Sequence, residues 1–332
     1  MTAYVIRRLI FAVALVVLST VISFAILKLS PGQAGRAEFD PRLSREYLEA
    51  QKRLFGLDRS PVTQYFSWLG VLRLFNSEEA PGLLQGDLGK SITYRQPVAQ
   101  VIGSRLGPSL VLNVTTLLFT WLVALPLGIW AALRQYKWPD KVLSVISFAG
   151  MSVPSFFMAL LLLWIFASRY HLLPPGGLYS IDHDRMSFVG KLWDYVSHLI
   201  VPVLVLTFGA LAGMQRIMRG NMLETLRMQY ITTARAKGLD ETRVVYKHAL
   251  RNAVNPLVTL LGFEFAALFG GAALLENVIN FPGLGQLMLE ALKGKDQALV
   301  MASFLIGSVL LVLGNLFADL LLAWVDPRVS YG

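Results

Sequence analysis

Five stretches of this chain run without a single Asp, Glu, Lys or Arg: Leu9 to Leu27, Leu106 to Leu133, Val142 to Ser168, Tyr195 to Gln215 and Gln297 to Ala318. Each, wound as a helix at about 1.5 Å per residue, reaches across the roughly 30 Å of a bilayer's hydrocarbon core. Lipid offers no partner to a bare N–H or C=O, so such a run must satisfy its backbone internally, and a helix does this within one segment. A sixth stretch, Leu257 to Ile279, is apolar except for Glu264 and Glu276, and its Gly and Ala content suits close helix packing. The expected fold is all-α and integral to the membrane, with six transmembrane helices. Composition agrees: 55% of residues are hydrophobic, only 15% are charged, and the mean hydropathy is +0.56.

Basic residues near the ends of the spans set the expected orientation. Arg7 and Arg8 precede the first span and place the N-terminus inside. That span ends in Leu27-Lys28-Leu29-Ser30-Pro31 without a small-residue cleavage site, so it reads as a retained anchor rather than a signal peptide. Six spans then put three segments inside: 134–141, 216–255 and the tail from Trp324. The middle one carries Arg216, Arg219, Arg227, Arg235, Lys237, Arg243, Lys247 and Arg251 against Glu224, Asp240 and Glu241. The segments 28–105, 169–194 and 280–296 mix both signs more evenly and are expected outside, and the C-terminus inside.

The chain divides, on this reading, into an N-terminal membrane helix (1–30), an extracytoplasmic insert (31–96), a transmembrane core (97–326) whose inside loop spans 216–256, and a short cytoplasmic tail (327–332). The insert is punctuated by Pro31-Gly32, Pro41, Pro61 and Pro81-Gly82, and Ser44 is placed to cap a helix over 44–54.

Several chemistries lack the residues they need. No cysteine is present, which removes disulfides, thiolate metal sites and a thiol nucleophile. The net charge of +9 comes without any groove-reading nucleic-acid motif, and Lys and Arg gather in cytoplasmic loops of membrane proteins anyway. Gly86-Asp87-Leu88-Gly89-Lys90-Ser91 imitates the end of a phosphate-binding loop, but Leu84 stands where that pattern requires its first glycine, and no buried strand precedes it. None of the four histidines has a zinc-site spacing. Asp182-His183-Asp184 reads as a solvated acidic turn rather than a cation site, and no nucleophile elbow occurs.

The most informative local feature lies in the middle inside loop, from Tyr230 through Ala234-Arg235-Ala236-Lys237-Gly238-Leu239-Asp240 to His248-Ala249-Leu250-Arg251-Asn252 and Pro256. It reads as two helices broken at one point. Gly238 is suited to the left-handed conformation that ends the first, Asp240 to capping the second, and Glu241 to its first turn. A basic segment lying on anionic lipid would account for the charge but not for the break.

These residues resemble the coupling loop of peptide ABC-importer permeases, and the resemblance extends along almost the whole chain. Tyr4-Val5-Ile6-Arg7-Arg8-Leu9, the Gly86 to Ser91 segment, Arg105-Leu106-Gly107-Pro108-Ser109-Leu110, Pro126-Leu127-Gly128 and Ser152-Val153-Pro154 look like the family. So do Glu276-Asn277-Val278, Phe281-Pro282-Gly283-Leu284-Gly285, Asn315 to Asp319 and Asp326-Pro327-Arg328. Gly107 is a departure, since relatives often carry a second proline there.

The resemblance implies the type I ABC importer permease fold and the first permease subunit of a dipeptide or oligopeptide pair, in a bacterial or archaeal plasma membrane. It implies as partners a second homologous permease, two cytoplasmic ATPase subunits, an extracytoplasmic substrate-binding protein and membrane lipid, with no nucleic acid. The chain itself is then not an enzyme and binds no cofactor, ATP and magnesium belonging to the partner subunits. Relatives similar to importers of nickel chelates, glutathione and sugars leave the solute open. An intramembrane enzyme or a passive channel is the rival reading.

Polar residues at membrane depth complete the list, because such groups are costly in lipid. Glu264, Asn113 and Asn315 are expected to line the path or the joint with the partner permease, while Asp319, one turn beyond Asn315, suits packing near the inside boundary. Pro126 and Pro154 are expected to kink their spans.

Overall fold

The computed structural model describes residues 2–29, 56–267 and 272–325, and among them the architecture is helical. The helix expected over 44–54 and the tail after Val325 lie outside the described residues, as does the side chain of Asp319. The chain gathers into two compact units. One holds the first helix, the segment up to Ser109 and Pro282–Val312; the other holds Leu110–Phe269, Leu274–Phe281 and the end of the last helix.

In the first unit, α1 (Thr2–Leu29) is followed by two short helices, α2 (Pro61–Leu69) and α3 (Val71–Phe75). Ser60 caps α2 by accepting from the Thr63 N–H, Pro61 occupies the first turn, and Gly70 ends it in the left-handed region at φ 79°. A side chain at Gly70 would collide with Gln85, whose amide donates to the Gly70 carbonyl at 3.1 Å. Further on, α13 (Leu284–Gly294) and α14 (Gln297–Val325) pack on the start of α4 (Val98–Leu133) through Val98, Val101, Ile102, Leu287, Ala291 and Leu299.

The Gly86 to Ser91 segment belongs to this unit, and its hydroxyl has a structural task. Ser91 Oγ donates to the buried Asp296 carboxylate at 2.5 Å, which also accepts from the Thr93 N–H at 3.0 Å and from Leu299 N–H at 3.2 Å. Asp296 thus caps α14 and fastens the loop that follows Gly89, where φ is 86°. The phosphate-loop look-alike is a fastening between distant parts of the chain.

The second unit is built on α7 (Phe188–Leu226), a 39-residue helix capped by Ser187, with Pro202 inside it. α5 (Trp138–Ser152) and α6 (Ser155–Leu162), the latter continued by a π-helical turn at Leu163–Arg169, pack along α7. Gly150 and Ala212 mark the close approach, a Cβ at Gly150 falling 2.9 Å from the Phe208 carbonyl.

The spans compare with the sequence as follows. Among the described residues, four helices are long and apolar enough to cross a membrane: Ile10–Leu29, Val98–Leu133, Phe188–Leu226 and Gln297–Phe317. The stretch expected to cross as Val142 to Ser168 is instead two helices bent by 102° at Val153-Pro154, and counts as a fifth span only as a broken pair. Proline removes a donor and pushes its predecessor out of the helical region; Val153 sits at φ −89°, ψ 121°. Pro126, by contrast, lies within continuous α4, and that helix starts at Val98, well before Gly107. The sixth stretch is α11 (Asn255–Ala267) and α12 (Ala273–Val278), with residues 268–271 between them outside the description.

Candidate functional site: an exposed helical elbow and its base

α7 continues as a helix to Leu226, so Arg216 and Arg219 belong to it rather than to a loop. Arg219 is committed there. Its guanidinium forms a bidentate pair with Asp140 near the start of α5, Nε to Oδ1 at 2.5 Å and Nη2 to Oδ2 at 2.7 Å. Asp140 is buried and also accepts from the Tyr136 N–H at 2.9 Å, holding the tight turn in which Tyr136 takes φ 64°. The planar fork of arginine matches a carboxylate in this way and lysine does not. The pair fixes the α4–α5 turn to the base of α7, immediately before the elbow.

The elbow itself follows Met228, whose extended backbone (ψ 146°) turns the chain out of α7. α8 (Gln229–Ala236) runs to Gly238, which takes φ 75° and donates to the Arg235 carbonyl at 2.9 Å. Asp240 Oδ2 then accepts from the Thr242 N–H at 2.9 Å and opens α9 (Glu241–Arg243). The second helix is not a plain α-helix: it widens into a π-helical turn at Val244–Ala249 before α10 (Leu250–Ala253). Such turns insert one residue and re-aim those around them. Here they put Val244, Val245 and Ala249 together in the core.

Two faces result. Ile231, Ala234, Val244, Val245, Ala249 and Ala253 are buried against Met214, Met218 and Met222 of α7 and Leu257 of α11. Each large member of that set stabilises the fold by about 1.5–3 kcal/mol relative to exposure. Asn221 adds a bond from its amide to the Ala253 carbonyl at 3.1 Å, and Asn252 donates to the Tyr230 hydroxyl at 2.6 Å, joining the two ends. The opposite face carries Tyr230, Arg235, Ala236, Lys237, Gly238, Asp240, Tyr246, Arg251 and Asn252, all exposed, with His248 half-buried, while half-buried Leu239 packs against the core.

Arg235 grips Glu241 across the break, Nη2 to Oε1 at 2.6 Å and Nε to Oε2 at 3.0 Å. This hydrogen-bonded partner holds the Glu241 carboxyl below its ordinary range and pushes Arg235 further up. Both side chains are exposed, so the pair adds orientation more than stability. A Cβ built at Gly238 meets nothing within 4 Å, so the conformation alone demands glycine there.

The other polar residues expected at membrane depth stay apart from this element. Asn113 is half-buried on α4, Glu264 half-buried on α11 and Asn315 half-buried on α14. His183 of the Asp182-His183-Asp184 turn is engaged rather than solvated, its Nδ1 lying 2.7 Å from Asp194 Oδ2, a carboxylate that also accepts from Ser180.

The chain matches, over residues 124–331, the family described as binding-protein-dependent transport system inner membrane component. Residues 1–113 match the N-terminal membrane component of the same systems. The chain belongs to this permease family. Among curated relatives, the permease is 35% identical over its whole length, and all of theirs, to the oligopeptide transport system permease protein AppB of Bacillus subtilis. It is 31% identical to the dipeptide permease DppB of Alkalihalophilus pseudofirmus and 33% to the glutathione permease GsiC of Escherichia coli K12, again over the full length of each. A solved structure of the MetNI methionine ABC transporter in inward-facing conformations matches with a TM-score of 0.54 at 20% identity, covering 68% of this chain and 97% of that one. The fold is therefore that of a type I ABC importer permease.

Proposed function

We propose that this permease is one half of the membrane channel of an ATP-driven importer of peptides or peptide-like solutes. What supports the cargo is the full-length likeness to permeases named for oligopeptides, dipeptides and glutathione. The partners are a second homologous permease, two cytoplasmic ATPases that hold ATP and magnesium, and an extracytoplasmic binding protein that delivers the solute. The site of energy input is the elbow at Gly238, whose exposed face docks on an ATPase while its buried face grips α7. Closure of the ATPases moves the elbow, and α7 transmits that movement to the bundle, which alternates access to a central path. Purification of the complex from native membranes tests this reading. An ATPase that accompanies the chain supports it, whereas an intramembrane enzyme or a passive channel would travel without one.

Both termini are cytoplasmic on this reading and residues Gly32 to Arg105 face outside. Ser77 is exposed in that segment. Ser77→Cys is expected to react with a membrane-impermeant thiol reagent in intact cells; labelling only after lysis would reverse the topology.

Glu264 lines the path or meets the partner permease, because a carboxylate at mid-span does not face lipid. Glu264→Gln is expected to assemble normally and change uptake. Full assembly and unchanged uptake by Glu264→Leu would remove both roles.

A further inference from the structure

Among the described residues, the short helices Pro61–Leu69 and Val71–Phe75 carry an exposed apolar face. Val62 and Phe66, one turn apart on α2, are 65% and 41% exposed, and Leu74 and Phe75 at the end of α3 are 66% and 86% exposed. The opposite side of the same element is fixed. Tyr65 reaches the Thr20 hydroxyl at 2.9 Å and its ring lies 5.4 Å from that of Phe24, while Lys28 Nζ donates to Gln64 Oε1 at 2.5 Å.

Those partners give the element a depth. Thr20 lies nine residues before Leu29, roughly 13 Å down the helix axis at 1.5 Å per residue, which is most of one leaflet's hydrocarbon. Lys28, one residue from the helix end, marks the water boundary and keeps its ammonium there by bonding Gln64. α2 is thus held beside the last turns of a span whose own outer face, including Ile22 and Ile26, is exposed and apolar. α2 and α3 add Val62, Phe66, Leu74 and Phe75 to the exposed apolar side chains of the first helix. Arg59 pairs with Glu79 at 2.7 Å beside the element, and Arg73, half-buried on α3, is the one charged residue within 61–75.

We propose that residues 61–75 form an interfacial membrane element, seated in the leaflet at the C-terminal end of the first span with Val62, Phe66, Leu74 and Phe75 in acyl chains. This stands on membrane residence alone, not on the sidedness or the cargo proposed above. An element so placed steadies the exit of the first span and sets the height of the segment that follows.

The chain has no cysteine, so single thiols can be introduced without a background. The full chain with Phe75→Cys or Val62→Cys, spin-labelled and placed in vesicles of phosphatidylethanolamine and phosphatidylglycerol, is relaxed with oxygen and with a water-soluble nickel chelate. Ile26→Cys serves as the lipid reference and Ser77→Cys as the aqueous one. The expected result is that labels at 75 and 62 follow position 26, favouring oxygen over the chelate, although 75 and 77 are two residues apart. Chelate access like that of position 77 would overturn the proposal. Low access to both reagents would overturn it too, since protein rather than lipid would then cover the face.

Discussion

Replacing Arg219 with alanine is expected to destabilise the permease by about 3–5 kcal/mol, the scale for stranding one member of a buried ion pair. The carboxylate left behind, Asp140, is buried and would keep only the Tyr136 N–H as donor. The reverse change is expected to cost less. Arg219 retains about a quarter of its side-chain surface in contact with solvent, so Asp140→Ala leaves a cation with access to water, at a cost of about 1–3 kcal/mol. The two changes share one interaction, so the double variant should lose less than the sum. Thermal unfolding in detergent measures all three. Equal losses for the single variants, or strict additivity, would mean that the pair does not hold the base of α7. Uptake is expected to fall further than stability alone explains, because the turn fastened by Asp140 sits directly behind the elbow.

Gly238→Val is expected to leave insertion near normal and to damage coupling. Open space surrounds the position, so the cost is conformational, on the order of 1–2 kcal/mol for a β-branched residue in the left-handed region. That is too little to unfold a set of packed spans, yet it shifts the population holding the elbow geometry by about tenfold. ATPase binding, or the conversion of hydrolysis into uptake, should fall accordingly. Gly238→Asn should retain more activity than Gly238→Val, because asparagine enters the left-handed region more readily. Membrane levels, ATP hydrolysis and accumulation are read side by side; unimpaired, tightly coupled uptake by Gly238→Val would remove the elbow from the mechanism.

What could be read from the sequence was local. Uninterrupted apolar runs predict spans because hydrocarbon imposes one condition on every residue, and the break at Gly238 with its Asp240 cap is written in adjacent residues. The bend at Val153-Pro154 was legible as a proline, but its size was not: whether a helix kinks or turns through 102° depends on what packs around it, and Pro126 lies within a helix that continues. The extent of α7 was missed because charge stops an apolar count, not a helix; Arg219 continues the helix while finding Asp140, 79 positions away. Ser91 and Asp296 are 205 positions apart, so the loop that mimics a phosphate site gave no hint of its buried carboxylate partner. A better signal was available for Asp140 alone: an acidic residue beside Pro139 at a helix start and near the boundary of a span needs a cation or a helix N-terminus.

On the proposed function, this chain turns ATP hydrolysis on partner subunits into solute movement through the elbow at Gly238. Vesicles reconstituted with the partner permease, the ATPases and the binding protein, with and without this chain, measure it directly by following accumulation of a labelled peptide on addition of ATP. Accumulation against a gradient is expected only when the chain and ATP are both present, with hydrolysis rising alongside it. Equal accumulation without the chain, or uptake through the chain that ignores ATP, would contradict it.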